Sequence, residues 1–309
     1  MQKLLLLLLM SLVAACAGVS DPALSDSEVP EKEAETILVG GATGRQGSAV
    51  VDELLARGYR VRALTRKPEG KKALGLQAKG VEVVQGNYAD QVSLLAAMQG
   101  VDRMFFYSGF SRNEVAEGNN VISAAREAGI RQLVYSSGAA AAPENGIKGA
   151  AKMQVELALV DSGVPYTVFR PVAFMENFDR QKKRFIKSGI VDSRDPDRML
   201  YFIAIPDIGF FVGEAFEHPQ QWLNKAVNIA GDKMTVGGMV NTFSTVMGRD
   251  IEYKQLPLAE FLVTMPKPLR PLFRWYEQVG YEADVDGFRA DYPDLMTLED
   301  YLRATGWEN

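Results

Sequence analysis

The chain has 309 residues, of which 47% are hydrophobic and 24% are charged, a composition typical of a globular protein. Its formal net charge of −5 at pH 7 gives no reason to expect nucleic acid as a partner, because a nucleic-acid-binding surface is basic. The single cysteine excludes an intramolecular disulfide, and no cluster of Cys and His residues has the spacing of a zinc site, so we expect no metal centre.

The N-terminal 35 residues have the pattern of a leader followed by a tether. Lys3 precedes a short apolar run, which predicts a signal peptide over residues 1–15. Residues 13–16 (Val-Ala-Ala-Cys) resemble a bacterial lipobox, which predicts lipidation of Cys16 and a membrane anchor on the extracytoplasmic side. Residues 16–35 are polar and acidic, as in a flexible tether. Two alternatives stay open: cleavage after Ala17 to give a secreted form, and a cytoplasmic protein with a misassigned start codon.

A glycine-rich turn follows the first predicted strand. The apolar run 37–39 leads into Gly41, Gly44 and Gly47, and an apolar helical face begins directly afterwards. In such a strand–turn–helix, Gly41 permits the tight turn, Gly44 lets a pyrophosphate approach the backbone, and Gly47 lets the helix pack on the sheet. The helix N-terminus adds N–H groups and the positive end of a dipole. The pattern predicts a dinucleotide site; the alternative is a turn without a ligand.

From residue 36 onward, strand patterns alternate with helix patterns, which predicts an α/β fold with a doubly wound parallel sheet. The predicted strands lie at 37–39, 60–65, 81–84, 103–107, 132–136 and 166–170. The predicted helices lie near 69–79, 91–99, 114–128 and 149–162. The alternation loosens from Phe174 onward. We therefore expect a dinucleotide-binding Rossmann domain over 36–171 and a smaller substrate lobe over 172–309, interleaved with the end of the sheet.

The end of the second strand indicates which dinucleotide is bound. An NAD site normally carries an Asp or Glu there, which accepts hydrogen bonds from the ribose hydroxyls. Here the chain has Arg66 and Lys67 and no carboxylate. Two cations at this position would neutralise a 2′-phosphate, Arg66 through a bidentate contact and Lys67 as a point charge. The sequence thus favours NADP; the alternative is a pair of ordinary exposed loop charges.

Several separate motifs resemble those of the NmrA-like family, a group of atypical short-chain dehydrogenases. The motifs are GATGRQG at 41–47, TRKP at 65–68, GVEVVQGNYAD at 80–90, RPVAFMEN at 170–177, DIG at 207–209 and LEDYLRATGW at 298–307. The resemblance covers about residues 36–307 and implies the fold and an NADP cofactor.

The same resemblance implies roles for individual residues. It implies that the pyrophosphate is bound by Gly41, Ala42, Thr43, Gly44, Arg45, Gln46 and Gly47. It places Asn87 where the superfamily often has an adenine-contacting Asp, and Ser108 beside the cofactor. Within 171–177, it implies that Phe174 and Asn177 border the nicotinamide and the substrate.

The chain departs from the wider superfamily at the catalytic helix. Those dehydrogenases place a tyrosine four residues before a lysine, and the phenol protonates the nascent alkoxide. Lys152 matches the family's lysine, but the residue four positions earlier is Lys148. Ser137 remains a candidate to hydrogen-bond a carbonyl, and Tyr135 is interpreted as a sheet residue. Lys152 is therefore expected to clamp the ribose or nicotinamide rather than to activate an acid, which disfavours simple ketone reduction.

Three functions are compatible with the sequence. The first is an NADPH-dependent reductase of quinone-like, azo or conjugated acceptors, whose reduced anions can take a proton from water, so that the protein need only position the hydride donor. The second is a catalytically weak or inactive redox sensor that binds NADP(H) and regulates a partner. The third is an envelope lipoprotein whose Rossmann scaffold serves in binding. We favour the first, with a small-molecule acceptor as the substrate.

Overall fold

The computed structural model describes residues 35–109 and 111–308, so the predicted signal peptide and Cys16 lie outside the described residues. The strands of the main sheet are β1 (Thr36–Gly40), β2 (Arg60–Thr65), β3 (Glu82–Gln85), β4 (Arg103–Tyr107), β5 (Leu133–Ser136), β6 (Tyr166–Pro171) and β10 (Lys225–Ile229). The helices between the first six are α1 (Arg45–Ala56), α2 (Lys71–Gln77), α3 (Gln91–Met98), α4 (Glu114–Glu127) and α5 (Ala151–Val160).

The seven strands form one sheet in the order β10-β6-β5-β4-β1-β2-β3, and every neighbouring pair is parallel. This is a doubly wound order, because the connections run outward in both directions from β1. The predicted fold class is confirmed. The six predicted strands and the four helices predicted between them all form, with ends that differ from the prediction by at most two residues. The strand β10 was not predicted.

Both faces of the sheet are covered by helices, as the continuous apolar runs of parallel strands require. In β1, Ile37 and Val39 belong to one core cluster and Leu38 to the other. Helix α1 packs on the first face against α7 (Ile205–Glu217). A Cβ at Gly209 would lie 2.8 Å from the Ala49 carbonyl oxygen, so the glycine permits this close helix contact. Helices α3, α4 and α5 cover the opposite face.

The rest of the chain builds a smaller lobe and returns once to the main sheet. One small sheet contains β7 (Ala173–Phe174), β9 (Met199–Ile203) and β11 (Asp232–Thr235), and another pairs β8 (Ile190–Asp192) with β12 (Tyr253–Gln255). The remaining helices are α6 (Lys182–Ser188), α8 (Pro219–Trp222), α9 (Val236–Val246), α10 (Leu258–Thr264), α11 (Arg270–Gln278), α12 (Val285–Asp291) and α13 (Leu298–Ala304). No helix in the described ranges is long and apolar enough to span a bilayer.

The lobe has its own aromatic core, and the C-terminal motif closes it. Phe185 and Phe243 pack edge to face with ring centroids 5.1 Å apart, and Trp307 packs against both. Asp207, in the first turn of α7, accepts a hydrogen bond from the Met296 amide at 3.1 Å. Burial raises the pKa of this carboxyl to about 7. The residues of the DIG and LEDYLRATGW motifs therefore hold the C-terminal segment against the fold.

Candidate functional site

The candidate site lies at the carboxyl edge of the main sheet, between β1 and β4. The chain leaves these two strands in opposite directions along the sheet, and such a switch point opens a crevice for ligands. In β1 and β2, Gly40 pairs with Leu64, so the glycine turn and Arg66 emerge side by side. The sheet register alone therefore brings the two predicted parts of the dinucleotide site together.

The glycine turn has the geometry of a phosphate-binding loop. Gly41 has a φ of +67°, a region that side chains rarely adopt, and its carbonyl accepts a hydrogen bond from the Gly44 amide at 2.8 Å. A Cβ at Gly47 would lie 2.2 Å from that same carbonyl oxygen. Helix α1 begins after Gly44 without a side-chain cap, so its first N–H groups can bind an anion.

A cavity of about 470 Å³ opens over this loop. Six of the residues predicted to bind the cofactor line it: Gly41, Thr43, Gly44, Arg66, Lys67 and Asn87. A volume of this order accommodates a substantial part of a dinucleotide.

Arg66 and Lys67 are exposed at the mouth of the cavity. Within the described ranges neither forms an ion pair, so both charges are available to a 2′-phosphate. Thr65 stabilises the turn, because its hydroxyl accepts a hydrogen bond from the Lys67 amide at 3.2 Å. The Asn87 side-chain oxygen accepts from the Ala89 amide, which leaves the NH₂ group of Asn87 to donate to a ligand. These features fit an adenine dinucleotide that carries a 2′-phosphate.

Two tyrosines that the sequence did not single out form part of the cavity wall. A Cβ at Gly40 would lie 2.1 Å from the Tyr88 hydroxyl, and one at Gly44 would lie 2.0 Å from the Tyr107 hydroxyl. Tyr107 also donates a hydrogen bond to the Gly41 carbonyl at 3.3 Å. Because Gly40 and Gly44 have no side chains, the loop leaves room for two aromatic rings as well as for a phosphate. The only sequence signal was the position of each tyrosine at or just after a strand end.

Lys152 belongs to a buried polar network at the end of β4. Its ammonium donates to the Ser108 carbonyl at 2.9 Å and to the Ser108 hydroxyl at 3.0 Å, and it pairs with Glu114 at 3.1 Å. The Ser108 hydroxyl also bonds Glu114 at 2.6 Å and the Tyr135 hydroxyl at 2.8 Å. Burial lowers the pKa of Lys152, and Glu114 opposes that shift. The sequence predicted Ser108 and Lys152 but not their partners Glu114 and Tyr135.

The phenol in this network is not the one that the superfamily uses. Tyr135 lies in β5 with no exposed surface, and its pKa is raised, above all by burial. Lys148 is exposed and lies in the segment before α5 rather than on the helix that carries Lys152. The Ser137 hydroxyl is buried beside Tyr135 and Glu156, without a hydrogen bond of ordinary geometry to any described residue.

A buried ion pair fixes helix α5 to the sheet. Arg170, at the end of β6, donates to Glu156 at 2.9 Å and to Glu144 at 3.1 Å. Burial raises the pKa of the Glu156 carboxyl, and the arginine opposes that shift. Because Glu156 lies one helical turn after Lys152, this pair helps to set the position of the lysine.

Other predicted residues do not line the cavity. Ala42 is buried, Arg45 is exposed at the start of α1, and the Gln46 side chain accepts from Ser136 at 2.7 Å. Phe174 is half-buried in β7, and Asn177 is exposed in a short 3₁₀ turn. Neither of the last two lines the cavity described above.

The fold and the loop together define a Rossmann-type dinucleotide-binding protein. The chain belongs to the NmrA-like family, whose model matches residues 33–302. It is 32% identical over 225 residues to (4-alkanoyl-5-oxo-2,5-dihydrofuran-3-yl)methyl phosphate reductase of Streptomyces griseus, a match that covers 71% of this chain and 77% of the relative. It is 29% identical over 230 residues to NAD(P)H azoreductase of Xenophilus azovorans, which covers 72% and 78% of the two chains.

Solved structures share this architecture. The NADPH-dependent quinone oxidoreductase of Escherichia coli, crystallised with NADPH, superposes with a TM-score of 0.77 at 23% identity. The match covers 87% of this chain and 99% of that one. At 23% identity, this likeness shows the fold alone.

We predict that Gly44→Val weakens dinucleotide binding alone, whereas Gly47→Ala also reduces the stability of the fold. A side chain at 44 meets the movable Tyr107 hydroxyl, so the fold should persist while dinucleotide binding weakens at least about tenfold. A methyl at 47 meets the Gly41 backbone, which should reduce stability by roughly 1–3 kcal/mol as well as binding. Thermal melts and NADPH titration would separate the two effects. Unchanged binding by the Gly44→Val protein would show that the loop does not contact the cofactor.

Proposed function

We propose that the chain is an NADPH-dependent reductase of quinone-like, azo or conjugated acceptors. The observation that carries the proposal is the pair of cations, Arg66 and Lys67, beside a glycine loop and at the mouth of the same cavity. Relatives named as (4-alkanoyl-5-oxo-2,5-dihydrofuran-3-yl)methyl phosphate reductase, NAD(P)H azoreductase and quinone oxidoreductase 2 support the reaction class.

Each part of the site would have a distinct role in binding the cofactor. The first N–H groups of α1 and the glycine loop would hold the pyrophosphate, and Arg66 with Lys67 would hold the 2′-phosphate. NADPH, when bound, supplies a hydride. Ser108 follows β4 and accepts from Lys152 of α5, and the two residues would orient the nicotinamide half. The protein therefore contributes binding and orientation more than proton transfer.

The source of the proton determines which acceptors this site could reduce. Tyr135 is fully buried, so it cannot contact a substrate directly, and burial raises the pKa of its phenol. Lys148 is solvent-exposed and lies outside α5. An acceptor whose reduced form is a stabilised anion takes its proton from water, whereas an alkoxide from a simple ketone requires an acid in the site. We therefore assign quinone-like, azo or conjugated acceptors rather than simple ketones.

A redox sensor is the second candidate, and one observation favours it. Lys148 stands four residues before Lys152, where the wider superfamily has its catalytic tyrosine, so the chain lacks that proton donor. In a redox sensor, NADP(H) binding would shift an equilibrium with a protein partner, and hydride transfer would be slow or absent.

Cofactor preference tests the role of Arg66. Wild-type protein should bind NADPH more tightly than NADH, by roughly 10- to 100-fold, since charge-assisted hydrogen bonds contribute about 1.5–3 kcal/mol. Arg66→Glu should abolish or reverse the preference, because a carboxylate repels the 2′-phosphate and accepts from a 2′-hydroxyl. Arg126→Glu is the matched control, since it makes the same charge change at the exposed far end of α4. Equal affinities for NADPH and NADH in the wild type would refute the assignment.

Stopped-flow oxidation of bound NADPH against quinones, azo dyes and simple ketones tests the reaction. We expect turnover with the first two classes, little with ketones, and no loss in Lys148→Ala. Lys152→Ala should be slower, mainly through weaker cofactor binding, because it removes the ion pair and both contacts to Ser108. NADPH that stays reduced with every acceptor, while its binding shifts association with a partner protein, would select the sensor.

For localisation, we propose that Cys16 is lipidated and that the mature protein begins there, on the extracytoplasmic side of a membrane. The lipobox-like residues 13–16 support this proposal. Mass spectrometry of the N-terminal peptide should find a lipid-modified cysteine, and Cys16→Ser should release the protein from membranes. An intact Met1 in soluble material would favour the cytoplasmic alternative.

A further inference from the structure

Glu114 and Lys152 form an ion pair in the protein interior beside the cavity. The Lys152 nitrogen lies 3.1 Å from the Glu114 carboxylate, and the two side chains are 18% and 6% exposed. Glu114 is the first residue of α4, whereas Lys152 is near the start of α5, so two helices bring the pair together. The sequence gives no sign that these residues are partners.

The hydrogen bonds fix where the protons lie. The Ser108 hydroxyl donates to Glu114, so it must accept from Tyr135 and from Lys152. This arrangement requires the phenol proton on Tyr135, and it is compatible with a carboxylate at Glu114 beside an ammonium at Lys152. In that state, the group as a whole carries no net charge.

The pair is bonded to Ser108 after β4, and in the sheet β4 is separated by β1 from β2, which Arg66 and Lys67 follow. Ser108 follows β4 and sits between Tyr107 and Gly109, both of which line the cavity. If the 2′-phosphate lies at Arg66, the nicotinamide half of the cofactor extends toward the end of β4. Glu156, the other nearby carboxylate, is already paired with Arg170.

We propose that Glu114 cancels the charge of Lys152 so that the site can hold the oxidised cofactor as well as the reduced one. The inference rests on the proposed function, since it concerns how the same site distinguishes NADP⁺ from NADPH. The oxidised nicotinamide ring carries a positive charge that the reduced ring lacks. A lysine without its carboxylate would repel the oxidised ring, and a carboxylate without its lysine would attract it. Glu114 acts here through its charge, without touching the cofactor.

The experiment measures two dissociation constants by titration at pH 7 and divides the value for NADP⁺ by the value for NADPH. The four proteins are the wild type, Glu114→Gln, Lys152→Met and the double variant. Glu114→Gln should raise the ratio about three- to tenfold, because one unbalanced positive charge remains nearby. Lys152→Met should lower it by a similar factor. The double variant should return close to the wild-type ratio. Opposite shifts from the single variants distinguish a charge effect from a loss of folding, which would weaken both ligands in the same direction.

A pH series adds a second readout. Glu114, Tyr135 and Glu156 are the titratable groups that face Lys152, and Glu114 is the largest influence opposing the burial that lowers its pKa. In Glu114→Gln, Lys152 should therefore lose its proton more easily. The raised ratio should fall back toward the wild-type value as the pH is raised, while Lys152→Met should show no such change.

Glu127→Gln is the matched control, because it removes a carboxylate from the exposed far end of the same helix, about 20 Å away. It should leave the ratio unchanged. If Glu114→Gln does not fold, the inference is still tested by Lys152→Met, in which the ratio should be lower than in the wild type. An unchanged ratio in the single variants, or shifts in the same direction, would overturn the inference while the proposed function stands. Failure of the wild-type protein to bind NADP(H) would instead reject the proposed function, and this inference with it.

Discussion

The site depends on the close packing of the Gly41 carbonyl against Gly47. A Cβ at Gly47 would lie 2.2 Å from that carbonyl oxygen, a distance that no side chain tolerates. Without side chains at either position, α1 can start directly over the end of β1. Its uncapped N-terminus then faces the crevice between β1 and β4. On its other side, α1 is held by α7 through the close contact at Gly209. Backbone packing thus creates the anion site before any charged side chain contributes.

The polar network around Ser108 imposes a second constraint. Two charged groups and a phenol lose most of their hydration there, and each is compensated by hydrogen bonds to one serine. A buried pair of this kind is costly to break, because removal of one partner leaves the other charge unpaired. This cost explains why Glu114 and Ser108 hold Lys152 in place.

This arrangement bears on the choice between reductase and sensor. A site that binds a dinucleotide, and that lacks a tyrosine four residues before Lys152, would suit acceptors that need only a hydride. The same site would serve a sensor if binding of the oxidised and reduced cofactors were unequal. In both cases the important quantity would be the local charge beside the nicotinamide half, which Glu114 and Lys152 would set together.

The sequence alone determined the fold class, the position of the glycine loop and the two cations after β2, because these depend on local patterns: apolar periodicity, glycine spacing and charge at a strand end. Through family resemblance it also predicted that Lys152 and Ser108 belong to the site. Only the tertiary structure showed that Glu114 and Tyr135 join them, and that β10 completes the sheet. These features depend on contacts between residues far apart in the chain, such as Ser108 with Lys152 or Ala226 with Val168, which no local pattern encodes.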